Sequence, residues 1–444
     1  MPDPIAAMKQ MIADMEPELI RLRRDFHRYP ETGWLEMRTS AIIHETLSAL
    51  GYTVLTGSRA VRLSSRMGVP DAETLSEHAK TAEQQPGTPL ACLTEEMEQG
   101  LTGVIGILEA GPGPVVALRF DIDALPMEER MDEGHRPAKD GFASQNPGMM
   151  HACGHDAHAA IGLGVARVLM ALRHELHGTV KLIFQPAEEG ARGARAITDE
   201  GHLDDVDYFI GSHVAPADAL DDGDVTAGTW GSLATTKLDV AFSGLAAHAG
   251  GYPEKGRNAL LAAASAALAL HAIPRHSAGQ SRVNVGVLRA GTGRNVVPDR
   301  AMMQVEVRGE TTEINAYMAE QARNICQGAA AMQGCGCEIT VVGAADSQRS
   351  DLKLIQRIGE TVTRDLPELT LSSEQNARNW GSEDISIMMN RVQAHGGLAT
   401  YMRVMTPMAG AQHTVSFDMD EGVLAKSVKV FCAAVLELMK EAHA

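Results

Sequence analysis

The residues of this chain that could do chemistry stand in a few short runs. The first run, residues 150–156, places a thiol, Cys153, two positions before an imidazole, His155, in a turn that contains glycine. Thiolate, imidazole and carboxylate are the ligands that divalent transition metals prefer. Glu188 and Glu189 form an adjacent carboxylate pair in the run Gln-Pro-Ala-Glu-Glu-Gly. Such a pair can supply a metal ligand and a general base together, so the sequence indicates metal-dependent chemistry.

Two further histidines extend this set. His213 stands in Gly-Ser-His-Val, and His413 stands in Ala-Gln-His-Thr. Taken singly, each feature has an ordinary explanation, because an isolated cysteine is more often a buried small side chain and an isolated glutamate pair is usually solvated. The combination changes that judgement, since two ligand types lie two residues apart and an acid pair follows a predicted strand. We therefore predict that the set binds metal.

A second pair of carboxylates, Asp121 and Asp123, follows the predicted strand 115–120. The pair could instead be an ordinary strand-end turn, but we predict that it contacts the metal ligands. His151 and His158 flank the turn that holds Cys153, and we predict a structural or supporting role for both.

The bulk composition indicates an acidic globular protein with more than one domain. A chain of 444 residues is too long for one ordinary core. Its 57 acidic residues against 39 basic ones give a formal charge of −18, which repels nucleic acid and anionic membranes. No charge-free apolar run reaches the roughly 18 residues of a membrane helix. Scattered cysteines and an N-terminus without a basic, apolar leader predict a cytoplasmic protein.

Short apolar strands alternate with helices in the first half of the chain, which predicts an α/β fold with a mostly parallel sheet. Each candidate residue lies just beyond a predicted strand or at the start of a predicted helix. Open α/β sheets bind ligands outside the carboxyl ends of their strands, so we predict that these residues converge there. The strands are predicted at 103–108, 115–120, 180–184 and 208–210, and the helices at 157–172 and 191–200.

The pattern changes near residue 226. Strand, helix, two strands, helix and strand then follow in the order of a ferredoxin-like α+β unit. We therefore predict a catalytic, metal-binding domain of residues 1–225 and 344–444, with an inserted lid or dimerisation domain of residues 226–343. Residues 58–100 are polar and interrupted by proline, which predicts an insertion within the catalytic domain.

The motifs resemble the di-metal aminoacylase/carboxypeptidase superfamily of peptidases, specifically its amidohydrolase branch. That branch carries His-x-Cys-Gly-His-Asp followed by Gln-Pro-Ala-Glu-Glu, which here are residues 151–156 and 185–189. The similarity extends over nearly the whole chain. The other matching segments are residues 23–27, 121–126, 247–249, 293–298 and 381–384.

The resemblance implies a ligand set for two divalent metal ions per subunit. Cys153 would bridge the ions, where other branches place an aspartate. His155 and His213 would complete one site, and Glu189 and His413 would complete the other. A site of thiolate, imidazole and carboxylate suits zinc and manganese alike.

The resemblance also implies roles around the metals. Glu188 would be the general base, and His248 would be a lid residue that reaches the active site of a partner subunit. Asn295 and Arg308 match lid positions near the substrate. If the substrate carries carboxylates, Arg294 or Arg308 is the candidate to pair with them.

The activity implied is hydrolysis of the amide bond of an N-acyl or aroyl amino acid, with p-aminobenzoyl-glutamate as the preferred candidate. An aminoacylase or an indole-acetyl-amino-acid hydrolase remains an alternative. So does a non-catalytic subunit, although such a protein should have lost Glu188 or a ligand. A homodimer, or a heterodimer with a related subunit, is expected. Two departures stand out: Asp121 replaces a histidine ligand of other members, and the 58–100 insertion is absent from most of the branch.

Overall fold

The computed structural model describes residues 3–217, 223–378 and 381–440. The chain divides into two compact units. The first unit contains Met1–Trp230, Arg349–Arg378 and Ile387–Ala444, and the second contains Gly231–Gln348 and Asn379–Ser386. The boundaries predicted at 225/226 and 343/344 lie a few residues before the observed ones. The short segment after residue 378 is a further difference, because the prediction assigned it to the catalytic domain.

Helices and strands alternate through most of the chain. The helices are α1 (Pro4–Arg28), α2 (Met37–Leu50), α3 (Ala72–Gln84), α4 (Glu95–Glu98), α5 (Arg136–Lys139), α6 (His155–Ala171), α7 (Ala194–Asp199), α8 (Ala259–His271), α9 (Thr312–Met332), α10 (Leu352–Asp365), α11 (Ile385–Ala394) and α12 (Gly422–Leu438). The strands are β1 (Thr53–Thr56), β2 (Val104–Glu109), β3 (Val115–Asp121), β4 (Thr179–Gln185), β5 (Tyr208–Pro216), β6 (Val225–Thr226), β7 (Thr229–Trp230), β8 (Ala234–Ser243), β9 (Ser281–Ala290), β10 (Arg300–Gly309), β11 (Gly336–Ala345), β12 (Ala377–Arg378) and β13 (Leu398–Thr406). No helix in these described ranges is long and apolar enough to cross a bilayer.

The first unit is built on a sheet in the order β1-β2-β4-β3-β5-β13-β6. The four central strands, β4, β3, β5 and β13, run parallel to one another. The strands toward the two edges pair antiparallel. The predicted α/β class with a mostly parallel sheet is confirmed. Because parallel strands end at the same side of a sheet, the loops that follow the central strands come together there.

Helix α6 is the central helix of the first unit. Nearly all of its residues are buried, because α1 and α12 pack against it and β3 and β4 lie beneath it. Phe120 of the sheet packs against Phe184 and Phe431, with ring centroids 5.5 and 5.1 Å apart. The helix connects the parallel strands β3 and β4, so its first turn lies at the carboxyl end of β3. That turn contains His155 and His158.

The second unit contains a four-stranded antiparallel sheet in the order β11-β8-β10-β9. Strand β8 buries every second side chain, Leu238, Val240 and Phe242, against the small residues of α8 and α9. The chain order β8-α8-β9-β10-α9-β11 is that of a ferredoxin-like unit. The predicted inserted α+β architecture is therefore confirmed.

The inserted segment, residues 58–100, has more regular structure than its prolines suggest. Helix α3 fits between Pro70 and Pro86, and the side chain of Asp71 caps it by accepting from the backbone N–H of Thr74 at 2.8 Å. His78 on this helix is buried and lies 3.0 Å from a carboxylate oxygen of Glu31. The prolines therefore bound a helix that packs on the rest of the first unit.

Candidate metal centre

The five predicted ligands lie in two groups that share one sulfur atom. Ligand atoms of Cys153, His155 and His213 lie within 4.8 Å of one another, and those of Cys153, Glu189 and His413 do as well. The Cys153 Sγ is 3.4 Å from His213 Nε2, and His413 Nε2 is 3.4 Å from Glu189 Oε1. Cys153 is the residue that these two groups have in common.

The turn before α6 brings Cys153 and His155 to this position. Gly154 between them has a φ of 100°, in the left-handed region where a side chain is disfavoured. A Cβ at this position would lie 2.5 Å from a methyl group of Val214, so the close approach to β5 also requires glycine. The Gly in the predicted motif therefore has a structural cause in this turn.

The tautomers of His155 and His213 suit metal binding. His155 Nδ1–H donates to the backbone oxygen of Asp123 at 2.9 Å, and His213 Nδ1–H donates to the backbone oxygen of Val214 at 2.6 Å. In its neutral form, each ring then has its lone pair on Nε2. The buried His155 Nε2 has no backbone partner like that of Nδ1, so its lone pair is available to an ion.

The negative charges of the site favour the binding of a cation. Burial lowers the pKa of His155, but the charges of Asp121 and Cys153 outweigh burial and hold that pKa well above its usual value. A proton on His155 thus compensates these anions when no other cation is bound, and a metal ion would displace it. Burial holds the pKa of His213 well below its usual value, so this ring is neutral, as a ligand must be. The residues present therefore fit a divalent ion.

Asp121 and His158 also lie near His155, but their polar atoms already make hydrogen bonds within the protein. His158 Nδ1–H donates to Asp121, and His158 Nε2 accepts the backbone N–H of Val214 at 3.0 Å. Both ring nitrogens of His158 thus have hydrogen-bond partners within the protein. Asp121 also accepts from Arg119, and burial would raise its pKa, but Arg119 and both histidines hold the pKa well below the usual range. Asp121 therefore stays a carboxylate beside the ligands.

Asp123 contacts two of the predicted ligands. Its Oδ1 lies 3.3 Å from His155 Nδ1, and its Oδ2 accepts the backbone N–H of Glu189 at 2.9 Å. Carboxylates that hold ligating histidines in this way fix the tautomer and the orientation of the ring. Asp123 is thus placed to orient His155 and Glu189 together.

The acid pair follows β4 in a turn that we call the acid loop, residues 186–193. Ala187 and Ala191 flank the pair with φ angles of 51° and 61°, a conformation that is unfavourable for a residue with a side chain. Glu188 is 8% exposed, and its Oε2 lies 4.0 Å from His155 Nε2. The left-handed residues direct the backbone so that both carboxylates approach His155.

Two details of the predicted positions are wrong. His213 was expected beyond a strand of residues 208–210, but β5 continues to Pro216 and His213 lies within it, because β13 pairs with β5 along its full length. Helix α7 was expected from residue 191 but begins at Ala194, since Ala191 is left-handed and belongs to the acid loop.

Sequence reasoning missed Glu36, which lies beneath the acid loop. Its carboxylate accepts the backbone N–H of Ala187 at 2.7 Å and the hydroxyl of Thr102 at 2.6 Å. Burial and the nearby charge of Asp123 raise the pKa of Glu36 to about 8. Nothing in the local sequence signals these contacts. Arg119 was also missed, although an arginine within an apolar strand is itself a signal of a buried charged partner.

The predicted substrate and lid residues belong to the second unit. Exposed His248 accepts backbone N–H groups of Gly250 and Gly251 on Nδ1, at 3.1 and 2.9 Å. The neutral ring therefore carries its proton on Nε2, where it can be donated to another molecule.

Of the two predicted arginines, Arg308 is paired with Glu306 at 3.0 Å and donates to Ser382 at 3.3 Å. Arg294 and Asn295 are exposed, and Arg294 makes no ion pair within the described ranges. The structure thus distinguishes the two arginines: only Arg294 has a guanidinium group free of a carboxylate neighbour in the part of the chain that is described.

Residues 117–437 match Peptidase family M20/M25/M40. The chain belongs to this family. An indole-3-acetyl-aspartic acid hydrolase of Enterobacter agglomerans is 49% identical over 97% of this chain and 98% of its own length. One subunit of the p-aminobenzoyl-glutamate hydrolase of Escherichia coli (strain K12) is 47% identical over 97% of this chain and 98% of its own length. The predicted membership of a di-metal peptidase superfamily and its amidohydrolase branch is confirmed.

Solved structures agree with this assignment. An aminobenzoyl-glutamate utilization protein from Klebsiella pneumoniae superposes with a TM-score of 0.82 at 42% identity, covering 97% of this chain and 98% of that one. A Bacillus subtilis protein described as a dinuclear metal binding peptidase of the M20 family gives a TM-score of 0.63 at 25% identity, with 96% and 99% coverage. This member of the M20 family is a metal-dependent amide hydrolase.

Proposed function

We propose that this M20 enzyme hydrolyses the amide bond between an aromatic acyl group and an acidic amino acid, with p-aminobenzoyl-glutamate as the preferred substrate. The observation that carries the proposal is the pair of relatives that match nearly the full chain at 49% and 47% identity. Their names differ in the acyl group, indole-3-acetyl against p-aminobenzoyl, but share an aromatic group joined to aspartate or glutamate. Indole-3-acetyl-aspartate is the second candidate because the relative named for it is 49% identical, slightly more than the 47% of the p-aminobenzoyl-glutamate relative.

The metal centre is proposed to hold two divalent ions per subunit, zinc or manganese. Cys153 would bridge them, His155 and His213 would complete one site, and Glu189 and His413 would complete the other. The presence of Cys153 in both ligand groups and the available Nε2 of His155 support this assignment. When bound, such ions supply Lewis acidity to the attacking water and to the amide carbonyl.

Glu188 is proposed as the general base. Its carboxylate takes a proton from the water that attacks the carbonyl carbon, and it returns that proton to the amide nitrogen as the carbon–nitrogen bond breaks. The products are an aromatic carboxylic acid and a free amino acid. Support comes from its position 4.0 Å from His155 Nε2 and from its near-complete burial, which limits competition from bulk water.

His248 and Asn295 are proposed to contact the substrate from the lid. A proton fixed on Nε2 of His248 can be donated to the oxyanion that forms on the carbonyl oxygen, a contact typically worth roughly 3–4 kcal/mol. We further propose that His248 acts across a dimer, either of this chain or with a related subunit. The Escherichia coli relative is itself named as one subunit of its enzyme, which supports the second possibility.

A test of the activity is to purify this chain alone and assay it with p-aminobenzoyl-glutamate, indole-3-acetyl-aspartate and an N-acetyl amino acid. We expect turnover of the first two, little turnover of the third, and loss of activity with a chelator that zinc or manganese reverses. Preference for the N-acetyl substrate would contradict the proposal and favour an aminoacylase. If the chain is inactive until the related subunit is added, the heterodimer is supported.

Arg294 is predicted to bind the distal carboxylate of the amino acid. Replacing it with methionine should raise KM for p-aminobenzoyl-glutamate by about tenfold or more, since a charge-assisted pair is lost, and should leave KM for p-aminobenzoyl-alanine nearly unchanged. Arg308→Met is the matched control, because Arg308 already pairs with Glu306 and should affect both conjugates alike. Equal effects of Arg294→Met on the two conjugates would withdraw this role.

A further inference from the structure

Two neighbouring residues of the inserted segment, Met67 and Gly68, accept hydrogen bonds on their backbone oxygens from residues outside the segment. The indole N–H of Trp34 donates to the oxygen of Met67 at 2.7 Å, and Arg192 Nη1 donates to the oxygen of Gly68 at 3.0 Å. Trp34 is fully buried in the first unit, and Arg192 lies in the acid loop. The inserted segment thus contacts the loop that holds Glu188 and Glu189.

Arg192 joins the two segments through a single side chain. Its Nε donates to the backbone oxygen of Glu189 at 2.9 Å while its Nη1 holds Gly68. The guanidinium group lies over Gly33, where a Cβ would be 2.2 Å from Nη2, so a larger residue at this position would displace the guanidinium group. No carboxylate within the described ranges forms an ion pair with Arg192. Backbone oxygens are therefore the hydrogen-bond partners that hold the guanidinium group of Arg192.

Unfavourable backbone conformations are concentrated around this contact. Among the described residues, the non-glycine residues with positive φ are Trp34, Ala187, Ala191 and His413. Two of them flank the acid pair, and Trp34 is the residue that the inserted segment holds. Such conformations persist only where surrounding contacts enforce them. Contacts that reach the acid loop are thus needed to keep its shape.

We propose that Arg192 is a positioning residue that couples the inserted segment to the acid loop, so that the insertion helps to hold Glu188 and Glu189 in place. The inference rests on the roles proposed for these two glutamates. It assigns a role to the inserted segment, residues 58–100. Arg192 itself acts through the backbone of Glu189 and is not proposed to touch the substrate.

Arg62 offers a matched control. It also joins the inserted segment to the rest of the first unit, through the backbone oxygen of Asp199 at 3.0 Å and the carboxylate of Glu200 at 3.0 Å. Its partners lie at the end of α7 and outside the acid loop. Arg62→Met therefore loosens the insertion without removing a contact to Glu189.

The test compares Arg192→Met with Arg62→Met in the full chain. Amide hydrogen exchange is measured in metal-free protein, at the amides of Ala191 and Arg192, which donate within the acid loop at 2.7 and 3.1 Å. We expect Arg192→Met to speed this exchange, weaken the binding of zinc or manganese and lower kcat by about ten- to a hundredfold with little change in KM. Arg192→Lys, which can keep one of the two contacts, should recover part of each loss. Arg62→Met should change none of these quantities.

Two outcomes would overturn the inference. In the first, Arg192→Met keeps the exchange rates, the metal affinity and kcat of the parent protein. In the second, Arg62→Met reproduces the effects of Arg192→Met. That result would show that Arg192 only helps to attach the insertion and has no specific role at the acid loop. If Arg192→Met does not fold, the same readings on Arg192→Lys decide the matter. An active Glu188→Gln enzyme would instead refute the proposed base, so the two failures can be told apart.

Discussion

Glu188→Gln is expected to retain its metal ions and to lose kcat by about 10²–10⁴-fold. The amide side chain has nearly the same shape as the carboxylate but cannot take a proton from water at neutral pH. Glu188 belongs to neither of the two groups that contain Cys153, so no proposed ligand is lost. Elemental analysis of metal content beside steady-state kinetics on the same preparation measures both quantities.

Glu189→Gln is the matched control, because it makes the same chemical change one residue further along. It removes a proposed ligand and should lower metal content as well as activity. If Glu188→Gln kept more than a few per cent of the parent activity, the base would have to be another residue. If it lost metal instead, the roles within the acid pair would have to be exchanged.

Cys153→Ala is expected to lose metal at both sites, because the sulfur belongs to both ligand groups. Loss of a residue that merely orients a ligand weakens metal binding by about 10–100-fold, so loss of a shared ligand should cost at least as much. Cys153→Asp should recover part of the metal content, since a carboxylate can also bridge two ions. Titration of metal-free protein with zinc or manganese gives the affinity and the number of ions bound.

Cys92→Ala serves as the control for thiol chemistry in general, since Cys92 lies in the inserted segment and in none of the candidate ligand groups found among the described residues. It should bind metal as the parent protein does. Two normally bound ions in Cys153→Ala would show that the cysteine is a structural residue of the turn before α6.

Local sequence patterns were enough to predict much of the architecture. The period-two alternation of Leu238, Val240 and Phe242 is preserved as the buried face of β8, and the apolar run after His155 is preserved as the buried helix α6. Cys153 and His155 could be predicted to act together because residues two positions apart at the start of a helix lie close together in any tertiary fold. These features depend on neighbours in sequence, and sequence patterns report such neighbours well.

The remaining features depend on contacts between distant segments. His213 lies within β5 because β13, almost 200 residues later in the chain, pairs beside it. Ala187 is left-handed in a loop where Glu36 accepts its N–H, and no local pattern makes an alanine prefer that conformation. The insertion was predicted from its polar composition, but its contacts with Trp34 and Arg192 could be seen only in three dimensions.

The position of β13 has a consequence for the synthesis of the protein. This strand lies between β5 and β6 in the sheet, yet the ribosome makes it only after the whole second unit. His413 follows it by a few residues. At roughly 5–20 residues per second, a nascent chain must wait for tens of seconds between the emergence of Cys153 and that of His413. During this interval the central sheet has an open edge and the thiol lacks one of its proposed neighbours, so both the sheet and the proposed ligand set are completed only when the last part of the chain emerges.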